Sequence, residues 1–193
     1  MEEYGKYEKY KKRKVTIDIV KANVFAVILL VVAAVALMVP FFIIWGGRVS
    51  FGQSLSGITG LLVAIPAILI GIAVHELVHG ITWACFAPGG WRSIRFGVIW
   101  KLLTPYCHCN EPLRVPGYTL GGIMPCVVLG IAPAIAALCT GNLWLLVWGI
   151  FFISAAAGDI WIVWLLRKER RDSLVLDHPS EAGFYVLEGD AKE

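Results

Sequence analysis

The chain has 193 residues, of which 58% are hydrophobic and only 16% charged, with a formal net charge of +3. Soluble domains carry about 25% charged residues, so this balance points to one membrane domain rather than a water-soluble enzyme. The small positive excess comes with no recognition motif, which leaves no case for a nucleic-acid partner.

In chain order, residues 1–23 read as a basic juxtamembrane arm. Lys6, Lys9, Lys11, Lys12, Arg13 and Lys14 interleave with Tyr4, Tyr7 and Tyr10, a pattern suited to a helix resting on anionic head groups of the lipid bilayer. Four apolar runs follow, at 24–45, 58–86, 118–139 and 143–166, each long enough to cross the roughly 30 Å hydrocarbon layer. The first is too long for a signal-peptide core and reads as a retained span. A segment at 87–117 separates spans two and three, and a tail at 167–193 closes the chain. Within 87–117, Ile94, Phe96, Val98 and Trp100 alternate with Arg95, Gly97 and Ile99, which predicts a strand. A second short strand is expected near Leu113 and Val115, making a hairpin-like loop whose exposed edge could align an unwound substrate by strand addition. The predicted fold is therefore an all-α membrane protein with four transmembrane helices and a small cytoplasmic β-hairpin-like loop between spans two and three.

Orientation follows from the cations. Seven Lys and Arg precede span one, one (Arg48) lies between spans one and two, four between two and three, none between three and four, and five after span four. The positive-inside rule then places both termini and the 87–117 loop in the cytoplasm.

The second span contains His75-Glu76-Leu77-Val78-His79. Residues four apart share a helix face, so His75 and His79 can offer two imidazole nitrogens to one zinc ion while Glu76 serves as catalytic base. An ionisable group at bilayer depth costs about 2.5–3.5 kcal/mol and persists where it has a partner or a task. Glu76 and Asp159 are the only acidic residues inside the four runs, and His75 and His79 the only histidines there. His79 and Asp159 each lie roughly 10–12 Å from the cytoplasmic end of their span at 1.5 Å per residue, so they can meet. Small residues surround both, Gly71, Ala73 and Gly80 on span two and the run 154–158 before Asp159, which permits close helix packing. Span three, with Gly121, Gly122, Pro125, Gly130 and Pro133, is expected to be kinked.

HELVH on the second span and Ala157-Gly158-Asp159 on the fourth resemble the intramembrane zinc metalloproteases of the site-2 protease class. The wider sequence, with Pro105-Tyr106-Cys107-His108-Cys109-Asn110-Glu111-Pro112 and Asp177-His178-Pro179, is more similar to a small family of zincin-type peptidases. The resemblance implies one catalytic Zn2+ held by His75, His79 and Asp159, with Glu76 as the base in hydrolysis of membrane-embedded or juxtamembrane peptide bonds of a membrane-protein substrate.

Other residues are read more plainly. His108 is expected to contact the mouth of the site or its own loop, since Cys-His-Cys sends neighbouring side chains to opposite faces of an extended chain. His178 is expected in a solvated turn, and the five cysteines are expected to form no disulfides. Rival third ligands are Glu111 and Glu169, both outside the apolar runs. A rival reading from another class is a non-enzymatic zinc-binding protein, or an inactive protease-like scaffold that binds transmembrane partners.

Overall fold

The computed structural model describes residues 10–48, 57–100, 104–178 and 181–188. Tyr4, Lys6, Tyr7 and Lys9 of the basic arm, and Pro179, lie outside them. Strand β1 (Lys11–Thr16) leads into helix α1 (Ile19–Trp45), and α2 (Gly57–Ala84) follows. A short 3-10 turn then opens β2 (Ile94–Ile99), followed by β3 (Thr104–Cys109) and β4 (Leu113–Arg114). Helices α3 (Val115–Pro125) and α4 (Ala132–Thr140) are joined by a π-helical stretch, Cys126–Ile131. Helices α5 (Leu143–Ala155) and α6 (Ala157–Leu166) come next, then β5 (Leu174–Asp177) and β6 (Gly183–Glu188).

Local chemistry sets these boundaries. The Asp18 carboxylate accepts hydrogen bonds from the amides of Val20 and Lys21 and starts α1; Asn142 does the same for α5. Gly141, at φ +73°, ends α4 in the left-handed conformation that glycine adopts most easily. Pro125 and Pro133 lack the N–H that a regular ladder needs, and between them the helix takes the wider π geometry.

Three helical stretches are long and apolar enough to cross a membrane: Ile19–Trp45, Gly60–Ala84 and Val115–Thr140. The pair α5 and α6, bent by 48°, makes a fourth when counted as one broken span. Their outward surfaces are apolar, with Val20, Ile43, Leu62 and Ile70 all more than 60% exposed. Such surface is stable against lipid and costly in water. The chain therefore has the build of a membrane protein.

The all-α expectation needs correction, because two antiparallel sheets are present. One has strand order β1-β6-β5-β4 and the other is the β2-β3 hairpin. The described part of the basic arm forms a strand and not a helix over Lys11–Thr16: Lys11 pairs with Glu188 and Thr16 with Gly183 along β6. Two of its cations are met by carboxylates, Arg13 by Glu169 and Glu188, and Lys14 by Glu181. The hairpin partner of β2 is β3, with Phe96 opposite Cys107, whereas the strand at Leu113 pairs with Val175 of β5. The sheet thus ties the segments before α1, between α2 and α3, and after α6 at one end of the helices. One buried cluster holds Trp83 of α2, Tyr118 of α3, Leu166 of α6, and Val175, Phe184 and Val186 of the sheet. A second, with Ala33, Phe41, Ala137, Leu146 and Ile150, fills the opposite end.

Candidate metal centre

Helix α2 packs on α3 and on the hairpin and carries His75, Glu76 and His79. Against it lies α3, and the two are clasped by a pair of side-chain-to-carbonyl bonds. His79 Nδ1 donates to the Gly121 carbonyl at 2.8 Å and Trp83 Nε1 donates to the Tyr118 carbonyl at 3.1 Å. Residues 79 and 83 share one helix face, as do 118 and 121, so the bonds lie side by side. Gly121 is required here: a Cβ at that position would sit 2.1 Å from Trp83 Cδ1 and Nε1.

The fourth run breaks at Ala156, which places Asp159 in the first turn of α6. A carboxylate is favoured at a helix N-terminus, where backbone N–H groups lack partners. The small residues around the break let the turn approach α2.

The structure brings His75, His79 and Asp159 together, with one ligand atom from each lying within 4.8 Å of the other two. His79 Nε2 is 3.2 Å from His75 Nε2. Asp159 Oδ2 is 3.1 Å from His75 Nε2, and Oδ1 is 3.5 Å from His79 Nε2. Ligands at roughly 2.0–2.1 Å from a tetrahedral zinc ion are about 3.3 Å apart, which matches these three edges. Electrostatics point the same way. Because a carbonyl only accepts, His79 carries its proton on Nδ1, and in the neutral ring its Nε2 lone pair faces another imidazole nitrogen and a carboxylate. A cation among the three converts that repulsion into attraction. The donor set fits a divalent ion, and the Gly121 bond is the outer contact that metal-bound histidines usually make.

Beside the triangle opens a cleft of about 560 Å³ lined by Glu76, His79 and Asp159 on one side and by Cys107, His108 and Asp177 on another. The Cys109 amide donates to Asp177 Oδ2 at 2.9 Å, away from β2. By the alternation of an antiparallel ladder, Cys107 N–H and the donor-less Pro105 point outward as well. The Cys107 amide is directed at the Glu76 carboxylate. The outer edge of β3 therefore has no open donor for an incoming strand, and the outward amides of the hairpin's other edge belong to Phe96 and Val98.

The remaining candidates fall elsewhere. Glu111 accepts from Gly89 N and Ser93 Oγ, and Glu169 pairs with Arg13; each is committed away from the triangle. His108 does reach the cleft, with Nδ1 3.5 Å from Asp177 Oδ2. His178 is not in a solvated turn: it is 9% exposed, stacks on Tyr185 and lines the cleft. Its Nδ1 accepts from the Glu181 amide and so helps to buttress the rim. All five cysteines are free thiols. Burial pushes Cys109 up to about 12 and Cys107 higher still.

Sequence reasoning missed Asp177 and Tyr118. The Tyr118 hydroxyl donates to Asp177 Oδ1, and both groups are buried. A signal existed in Leu174-Val175-Leu176 and Phe184-Tyr185-Val186-Leu187, short apolar runs that a solvated tail has no reason to carry.

No curated protein and no solved structure matches the chain. A family model does match, over residues 68–174, which include the second half of α2 with the HExxH sequence, the hairpin and Asp159. That stretch is more than half of the chain, and the chain accordingly belongs to the family described as "Putative zincin peptidase".

Proposed function

We propose that the protein is a membrane-embedded zinc endopeptidase of site-2 protease type, which hydrolyses peptide bonds in membrane-embedded or juxtamembrane segments of a membrane-protein substrate. The observation that carries this reading is the triangle of His75, His79 and Asp159 donors beside Glu76 in an open cleft, on helices with lipid-compatible surfaces. His75 Nε2, His79 Nε2 and one Asp159 oxygen would hold the ion. Zinc bound there supplies Lewis acidity towards a water molecule and a peptide carbonyl. Glu76 takes the proton from the attacking water and returns it to the leaving amine. The Cys107 amide orients the Glu76 carboxylate for both transfers. A substrate helix hides its carbonyls in internal hydrogen bonds, so helix-weakening residues near the scissile bond favour cleavage.

Both termini lie on one side of the bilayer in this proposal. The pairing of β1 with β6 supports it, because segments that share a sheet cannot be separated by a membrane. An even number of crossings follows, with α5 and α6 as one broken span. The distribution of Lys and Arg makes that side the cytoplasm.

The direct test is cleavage of a single-span substrate in detergent or liposomes, with and without a chelator, beside Glu76→Gln. Wild type is expected to cleave and to stop on chelation. Glu76→Gln is expected to bind zinc and leave substrate intact. Full cleavage by Glu76→Gln rules out the assigned base, and absence of cleavage by wild type on helix-weakened substrates favours a zinc-binding scaffold.

A further inference from the structure

The buried acid at the end of β5 has no part in the chemistry above. Asp177 is 8% exposed. It accepts from Tyr118 Oη and from the Cys109 amide and stands beside His108. Burial raises its carboxyl above the ordinary range, against the opposing pull of His108, Tyr118 and the Cys109 amide. A carboxylate taken out of water is expensive to keep, and β5 also packs on the helices through Val175 in the apolar cluster.

Following its contacts inward leads to the metal ligands. The Tyr118 ring stacks on Trp83 with centroids 5.3 Å apart, and Trp83 stacks on His79 at 5.0 Å with ring planes 17° apart. The turn of α3 that begins at Tyr118 supplies the carbonyls that receive Trp83 Nε1 and His79 Nδ1. Hydrophobic contact around the Tyr118 ring is non-directional and by itself leaves the ring some freedom to tilt. A hydrogen bond from the Tyr118 hydroxyl to a fixed carboxylate removes that freedom. We propose that Asp177 is a positioning residue of the metal centre: by holding Tyr118 it sets the α3 turn and the Trp83 ring that together orient His79. The inference rests on reading His75, His79 and Asp159 as a metal site. It makes the C-terminal sheet a working part of that site and not only its cover.

The test uses the full-length protein in detergent, with zinc affinity measured by chelator competition and ligand geometry by the visible absorption of the cobalt-substituted protein. Asp177→Leu, Tyr118→Phe and the double variant are compared; leucine is close to aspartate in size and offers no acceptor, whereas an asparagine carbonyl would keep the bond from Tyr118. Outer contacts of metal ligands are worth about 10–100-fold in affinity, and residues further out are expected at the lower end, about tenfold. Each single variant should lose that much and shift the cobalt bands, and the double variant should lose no more than either single, because both act through one bond. Wild-type zinc affinity and cobalt spectrum in Asp177→Leu overturn the inference, as does a double variant whose losses multiply. Should Asp177→Leu fail to fold, Tyr118→Phe decides alone: it keeps the ring and removes only the hydroxyl, and unchanged affinity there refutes the coupling. A wild-type protein that takes up no zinc refutes the metal site itself, a different result from zinc bound equally by wild type and variants.

Discussion

Gly121→Ala is the sharpest probe of the clasp between α2 and α3. The added methyl would lie 2.1 Å from Trp83 Cδ1 and Nε1 and 2.8 Å from Cε2. Trp83 cannot easily swing aside, since it is stacked between His79 and Tyr118 and its indole N–H is bonded to the Tyr118 carbonyl. The α3 turn must instead withdraw by about 1 Å, and overpacking of this kind costs about 1–3 kcal/mol. Withdrawal on that scale stretches the 2.8 Å bond from His79 Nδ1 to the Gly121 carbonyl beyond hydrogen-bond range. Loss of such an outer contact weakens a metal site by about 10–100-fold, or roughly 1.4–2.7 kcal/mol. Zinc affinity by chelator competition is the assay, with Gly122→Ala as the control. At that neighbouring position an added Cβ meets only Val163 Cγ2, at 3.1 Å, and the end of a valine side chain can yield. Gly121→Ala is expected to lose at least tenfold and Gly122→Ala less than threefold. Equal affinities for Gly121→Ala and wild type would refute the claim that the Gly121 carbonyl orients a metal-binding histidine.

Three further outcomes can be checked with purified protein. His79→Ala and Asp159→Ala should each drop bound zinc well below one ion per chain by elemental analysis, whereas Glu111→Ala and Glu169→Ala should retain it; zinc lost from either glutamate variant would move the third ligand. At pH 8, Cys107 and Cys109 are protonated because burial raises both thiols. Little thiolate is then available for attack, so iodoacetamide should label them far more slowly in the folded than in the denatured protein, with rates rising only towards strongly alkaline pH; labelling at the denatured rate contradicts the desolvation of these two thiols. If a substrate strand adds to the hairpin, Val98→Pro should raise KM several-fold with the hairpin intact, since the Val98 N–H points away from β3; unchanged KM removes strand addition from the mechanism.

Much of the site was legible in residue order. The i and i+4 spacing of His75 and His79 is a local property of a helix, and the isolation of Glu76 and Asp159 among apolar residues marks them by cost alone. Apolar run lengths found the helices for the same reason: a chain that must satisfy its backbone internally writes that demand continuously along the sequence. Strand β2 was visible in the alternation of Ile94, Phe96 and Val98. Its partner was not, because pairing is a contact between segments and the Cys-His-Cys stretch carries no alternating pattern of its own.

What residue order left undetermined was everything that depends on distant segments meeting. The basic residues from Lys6 to Lys14 looked like a surface helix while Glu169 and Glu188, the partners of Arg13, and Glu181, the partner of Lys14, were uncounted. The bend at Ala156 that turns Asp159 towards the histidines, the Gly121 carbonyl under His79, and the line from Asp177 through Tyr118 and Trp83 appear only in three dimensions. The physical reason is the range of the interactions. Helix periodicity and desolvation act on neighbours in sequence and can be read from the string, whereas hydrogen bonds and ion pairs across 35 to 175 positions depend on how the helices pack.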